Sequence, residues 1–315
     1  MSTKIAWRLP VYLAIGLLGG GFAYWADPYL IQIALGVVVA ALLALSWDVL
    51  SRCGQVSLGH AGFFGIGAYF SAMFAEFHPA IPWIAGIGAC AVAAALLGML
   101  TLRLQRVYFT IATLGFALAL QVPVLIFDGW TGGAGGIAPA LVAGGDPAAQ
   151  LLVGTALLVI AAVISDVVLS AWFRPAFFMI RTKPELAASS GVPVVRTKLL
   201  AFVMSGALGG AAGVLYAGLY GYIVPGDVFN LNWSVLPLAV TILGGMDTTL
   251  GPLLGTIVLR LLEEVARAYI GGVGYQVVYG GVIIFFIAVM PTGLYGFLRG
   301  IVMRLRSDAT KADKP

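Results

Sequence analysis

The chain has 315 residues, of which 61% are hydrophobic and 10% are charged, with a formal net charge of +4. An ordinary soluble domain has about 25% charged residues, so this composition excludes one. The small positive charge is no signal for nucleic-acid binding, and two cysteines, Cys53 and Cys90, are too few for a disulfide framework or a metal site.

Long apolar runs predict an all-α polytopic membrane protein. A helix of about 20 apolar residues crosses a hydrocarbon core about 30 Å thick. The runs here are continuously apolar rather than alternating, which excludes a membrane β-barrel. About ten membrane segments, and at least about eight, are predicted from these runs. They lie at residues 9–25, 30–50, 56–75, 81–102, 107–127, 150–173, 199–221, 232–246, 250–268 and 275–297.

The first segment begins like a signal peptide, because Lys4 and Arg8 precede an apolar run. No small-residue cleavage site follows before Trp25 and Asp27, so we expect a retained helix.

Segments three and eight are rich in glycine, and segment eight is also short. Glycine in a helix interior is about 1 kcal/mol less favourable than alanine, so the glycines of segment three need a reason. One interpretation is close helix packing. The other is a broken helix that lines a substrate route, since segments three and eight correspond in a possible 5+5 inverted repeat. The predicted pathway residues are Gly54, Ser57, Gly59, His60, Gly62, Gly65, Gly244, Gly245 and Gly251.

His60 lies within segment three, where a charged imidazole is unfavourable in lipid. It is interpreted either as a neutral, hydrogen-bonded structural residue or as a pathway residue. Asp48, Asp128 and Asp166 are isolated in the sequence, so no catalytic constellation and no metal site is expected.

The distribution of Lys and Arg predicts the topology. With ten crossings and a cytoplasmic N-terminus, fifteen of the seventeen Lys and Arg residues lie inside, leaving Arg260 and Arg267. Both termini are then cytoplasmic. A single permease domain, residues 1–298, is followed by a basic cytoplasmic tail, residues 299–315. The acids that fall in outer loops or at outer helix ends are Asp27, Glu76, Asp128, Asp146 and Asp227.

Two features of the later segments carry charge. The inner loop at about 174–198 is polar and basic, and Ala187 and Ala188 followed by Gly191 predict a short helix with a glycine stop. On segment nine, four charged residues share one helix face, either as a self-paired stripe near the outer surface or as a translocation or subunit contact. These four are Arg260, Glu263, Glu264 and Arg267.

Five stretches, in order, carry a resemblance. They are residues 54–69 (GQVSLGHAGFFGIGAY), 108–116 (YFTIATLGF), 131–137 (TGGAGGI), the inner loop leading into 196–202 (RTKLLAF), and 243–252 (LGGMDTTLGP) with 291–294 (PTGL). With these stretches the chain resembles the LivM type of branched-chain amino acid ABC transporter permeases. It departs from that pattern at Glu185, which lies six rather than seven residues before Gly191, at Pro184, and at Asp247, where the family usually has glycine.

The resemblance implies the permease subunit of an ATP-driven importer for branched-chain or related amino acids, multi-pass in the bacterial inner membrane. Its expected partners are a second, LivH-like permease, two cytoplasmic ATP-binding subunits, a periplasmic substrate-binding protein and membrane lipid. ATP and Mg²⁺ belong to the ATP-binding subunits and no cofactor is expected here, in line with the missing G-x-x-x-x-G-K-[ST] loop.

Coupling to the ATPase is assigned to the inner loop, through Arg181, Glu185, Ala187, Ala188, Gly191 and Arg196. The alternatives are a stand-alone channel, an ion-coupled carrier for a small polar solute or, less favoured, an intramembrane enzyme.

Overall fold

The computed structural model describes residues 3–168 and 173–270, with 280–281, 284–285, 288 and 293–297. Most of segment ten and all of the predicted tail lie outside these residues. The helices are α1 (Thr3–Trp25), α2 (Pro28–Ser51), α3 (His60–Met73), α4 (Ala80–Thr101), α5 (Arg106–Ala119), α6 (Gln121–Ile126), α7 (Asp128–Thr131), α8 (Pro147–Val168), α9 (Arg174–Thr182), α10 (Pro184–Ser189), α11 (Val194–Tyr220), α12 (Pro225–Val228), α13 (Asn232–Gly244) and α14 (Leu250–Ile270).

The architecture is all-helical within the described residues, as predicted, and the protein is a multi-pass membrane protein. In the part of the chain that the structure describes, six helical stretches are long and apolar enough to cross a membrane, at residues 28–51, 80–101, 107–126, 147–168, 194–220 and 225–244. Each of the first nine predicted segments contains a helix. The number of crossings and the cytoplasmic position of both termini stay predictions.

Segments three and eight, both rich in glycine, form short helices, which was expected of segment eight. α3 has 14 residues and α13 has 13. At 1.5 Å per residue each is about 20 Å long, shorter than a hydrocarbon core of about 30 Å. Neither helix alone spans a bilayer.

Backbone contacts divide the chain into two compact units, Met1–Leu238 and Ala239–Pro315. In the first unit, α11 lies at the centre and packs against α2, α3 and α4, while α8 packs against α1 and α2. Between Ala201 and Leu219, α11 is apolar or small on every side, which is the pattern of a helix buried all round. The core between α3, α4 and α11 contains Phe63, Cys90, Ala94 and Phe202.

Glycines allow the central helices to approach closely. A β-carbon on Gly67 of α3 would collide with the backbone of Gly210 in α11, and one on Gly86 of α4 would collide with the Gly67 carbonyl. Small residues permit such backbone contact between membrane helices. At these positions the packing interpretation of the glycines is confirmed.

In the second unit, the end of α13 and the start of α14 also meet through glycines. A β-carbon on Gly244 would collide with the carbonyl of Gly251, and one on Gly255 with the carbonyl of Val240. The turn between the helices holds Asp247 at φ +67°, a left-handed conformation that glycine, asparagine and aspartate adopt most readily. Aspartate can therefore occupy a position at which the resemblance described above leads us to expect a small residue, most often glycine.

The charged stripe of α14 pairs with itself. Glu263 accepts hydrogen bonds from Arg260 at 2.9 Å and from Arg267 at 3.0 Å. One carboxylate therefore bridges two guanidinium groups along the helix, in line with the self-pairing that the first interpretation expects, while the position of the stripe near the outer surface stays a prediction.

Candidate functional site

The segment between α2 and α3 is not helical. Here residues 52–59 are called the α2–α3 junction. α2 ends at Ser51, the chain turns at Gly54 with φ +76°, and residues 55–59 form no helix or strand before α3 begins at His60. A side chain at Gly54 would be strained, because few L-residues adopt this backbone conformation. The glycine-rich motif at 54–69 therefore begins with a non-helical stretch and continues as an unbroken helix from His60 to Met73, and the substrate route stays a prediction.

Side chains from neighbouring helices hold this segment. The Trp47 indole donates to the Ser57 carbonyl at 2.9 Å, and the Thr110 hydroxyl donates to the Val56 carbonyl at 2.7 Å. The Leu58 amide donates to the Thr113 hydroxyl at 3.1 Å. Non-helical backbone at membrane depth is tolerated only where its polar groups are satisfied inside the protein or line an aqueous cavity. The backbone groups of Val56, Ser57 and Leu58 are satisfied inside the protein by these side chains.

His60 lies in a polar network among apolar helices. Its Nε2 is 3.1 Å from the Ser205 hydroxyl, and the Ser46 hydroxyl donates to the Ser205 carbonyl at 2.7 Å. The imidazole is fully buried and its ring is edge-on to Phe63. This arrangement matches the hydrogen-bonded structural interpretation of His60.

The predicted pathway residues are mostly buried. Gly62 packs against Phe116 and Ala117 of α5, and Gly65 packs against the ring of Phe229. The role of these residues in a substrate route stays a prediction. The other buried members of the set are Ser57, Gly59, His60, Gly244, Gly245 and Gly251, and Gly54 is partly exposed.

A buried ion pair lies at the end of α2. Asp48 and Arg52, one turn apart, form a salt bridge with both side chains almost fully buried. Arg52 also donates to the carbonyl of Ser165 in α8 at 2.7 Å and to its hydroxyl at 2.8 Å. A buried guanidinium needs such additional hydrogen bonds, because desolvation offsets the attraction between the charges.

Asp48 and Asp166, which are isolated from other acids in the sequence, each have a polar partner in the fold. The fold brings α2 and α8 together, so that Arg52 bonds both Asp48 and the residue next to Asp166, while Asp166 accepts a hydrogen bond from Tyr12 of α1. The spacing of Asp48 and Arg52 was a usable sequence signal, since the same spacing identified the stripe on α14. No local pattern points to Ser165 or Tyr12.

The segment joining α8 to α11 forms the predicted short helix. This segment, residues 174–193, is called the α9–α10 loop. In it α10 runs from Pro184 to Ser189, and Gly191 follows with φ +82°. The Val192 amide donates to the Ala187 carbonyl at 3.0 Å and the Gly191 amide to the Ala188 carbonyl at 3.1 Å. These two bonds are the Schellman motif of a glycine-terminated helix.

The predicted coupling residues do not share one environment. Ala187 is fully buried within the chain, whereas Ala188 and the adjacent Leu186 are exposed. Arg181 is partly exposed, and its Cα and Cβ lie against Gly54. Only some of the predicted coupling residues are therefore accessible to a partner. Besides Ala188, the exposed ones are Glu185, Gly191 and Arg196.

Burial makes the native thiols poor targets for aqueous reagents. Desolvation raises the pKa of Cys53 to about 12, against smaller opposing effects of Lys198 and Arg52. Cys90 is buried as well. Since the thiolate is the reactive form, we expect a water-soluble maleimide to leave the folded chain unlabelled at pH 8.

The matched variant for this labelling is Val56→Cys, at an exposed position three residues further on. We expect it to react readily under the same conditions. Labelling of the native chain as readily as the variant would contradict the burial of Cys53. Mass spectrometry of intact chains measures both, and an unreactive background permits cysteine scanning of the predicted pathway.

Comparisons with known proteins agree over most of the chain. The family model described as branched-chain amino acid transport system / permease component matches residues 29–289. The high-affinity branched-chain amino acid transport system permease protein LivM of Escherichia coli is 29% identical, covering 96% of this chain and 78% of the relative. LivH of the same species is 32% identical over 36% of each chain. The autoinducer 2 import system permease protein LsrC of an Enterobacter species is 28% identical over 81% of this chain and 73% of the relative. No solved structure matches this chain.

Proposed function

This chain belongs to the family of branched-chain amino acid transport system permease components, and we propose that it is the membrane-spanning permease subunit of an ATP-driven importer. Similarity to LivM over 96% of the chain carries this proposal, because it covers the helices and the connecting loops together. The location we propose is the bacterial inner membrane.

The proposed importer has several other subunits. A second permease of the LivH type, two cytoplasmic ATP-binding subunits and a periplasmic substrate-binding protein complete it. ATP and Mg²⁺ are bound by the ATP-binding subunits, and this chain supplies part of the translocation route. Similarity to both LivM and LivH supports a pair of related permeases.

We assign ATPase coupling to the α9–α10 loop. A helix that transmits motion must hold its shape when a partner pushes on it. α10 has a proline in its first turn and a glycine-terminated end, and buried Ala187 seats it on its own chain. Exposed Ala188 and Leu186 are left for the partner. Arg196, exposed in the first turn of α11, is available to an acidic residue of the ATPase or to anionic lipid.

The cargo we propose is a branched-chain or related amino acid. Similarity to LsrC, a permease of an autoinducer 2 import system, makes that class of cargo the second candidate. Specificity is assigned to the separate binding protein.

Transport assays test the proposal directly. We expect proteoliposomes with this chain alone to take up no leucine, and the complete importer, isolated through a tag on this chain, to do so only with ATP and binding protein. Uptake by the chain alone, without nucleotide, would support a channel or carrier instead. Uptake of autoinducer 2 but not of leucine would retain the importer and change the cargo.

A further inference from the structure

The α2–α3 junction touches the α9–α10 loop at Gly54. An atom placed at the β-carbon position of Gly54 would lie 3.0 Å from Cγ and 3.2 Å from Cα of Arg181. The turn therefore rests on the backbone of α9 as well as on a flexible side chain. A displacement of α9 toward the junction has to move Gly54.

On one side of Gly54 the chain is firmly anchored. Arg52 joins α2 to α8 through Ser165, and Asp166 joins α8 to α1 through the Tyr12 hydroxyl. These groups are buried, so water does not replace a hydrogen bond that breaks. The three helices are tied together at this level.

On the other side the chain is held by separate side-chain hydrogen bonds instead of a helix. Residues 55–59 have no helical hydrogen-bond ladder, and side chains of α2 and α5 bind their backbone one group at a time. Such bonds break and re-form singly, whereas bending a helix disrupts consecutive bonds. This segment is the only covalent link between Gly54 and His60, where α3 begins.

We propose that Arg52 and Gly54 are positioning residues for transport, through which the α9–α10 loop acts on α3. Gly54 receives the displacement of α9, Arg52 keeps α2 in place, and residues 55–59 carry the motion to the start of α3. This inference rests on the proposed function, because it requires an ATPase that moves the loop.

Gly54→Ala tests the contact, and Gly144→Ala is its matched control. Both glycines have positive φ, +76° and +67°, so alanine introduces similar backbone strain. Only Gly54 has a neighbour, since nothing lies within 4 Å of a β-carbon on Gly144. In the reconstituted importer, we expect Gly54→Ala to raise the ATP hydrolysed per substrate transported about fivefold or more, the low end of coupling between two sites. The control keeps the wild-type ratio.

Arg52→Lys tests the hydrogen bonds by which Arg52 holds α2 to α8. It also tests the inference if the Gly54→Ala importer does not assemble. Lysine keeps the positive charge beside Asp48 but lacks the planar fork that also reaches Ser165. We expect the same increase in ATP hydrolysed per substrate. Wild-type ratios in the assembled variants, or equal losses of hydrolysis and uptake, would overturn the inference. A wild-type importer without ATP-dependent uptake would overturn the proposed function instead.

Discussion

Replacing Arg52 with methionine is expected to destabilise the chain by about 3–5 kcal/mol, because it leaves the Asp48 carboxylate buried without its cation. The replacement also removes the two hydrogen bonds from the guanidinium to Ser165. The apparent melting temperature of the purified chain in detergent, followed by circular dichroism, measures the loss.

Two further variants make this experiment specific. Asp48→Asn combined with Arg52→Met removes both charges, so we expect it to recover much of the lost stability. Arg103→Met removes an exposed cation and should change stability by no more than about 0.5 kcal/mol. If Arg52→Met and Arg103→Met had the same melting temperature, the buried ion pair would contribute nothing to stability.

Ala188→Arg is expected to lower ATP-driven uptake at least about tenfold, because the arginine side chain blocks the exposed face of α10. A tenfold loss corresponds to ~1.4 kcal/mol of docking free energy. Ala188 is exposed and its side chain does not hold the loop together, so membrane insertion and melting temperature should be unchanged. Co-purification of the ATP-binding subunits and uptake into proteoliposomes are the measurements.

Ala187→Arg is the contrasting variant one residue away. Ala187 has no exposed surface, so arginine there should lower the melting temperature before any partner is considered. Normal uptake and normal recruitment in Ala188→Arg would remove the coupling assignment from this face. A fall in melting temperature in both variants would mean that the two alanines share one environment.

The sequence by itself determined the features that depend on composition and near neighbours. Long apolar runs are sufficient to predict membrane helices, because lipid offers no hydrogen-bond partners and the backbone groups must bond to one another. The glycine stop at Gly191 and the pairing of Glu263 with Arg260 and Arg267 are equally local, since each involves residues within about one turn. These predictions agree with the structure.

Contacts between distant parts of the chain were decided by the tertiary structure. Asp48 looked isolated although Arg52 follows one turn later, and nothing near it in sequence indicates Ser165, which is 113 residues from Arg52. Ala187 and Ala188 are identical in the sequence, yet only packing against the rest of the chain determines which of them is buried. In a membrane protein most residues are apolar on every face, so hydrophobic pattern alone does not identify the partner of a helix.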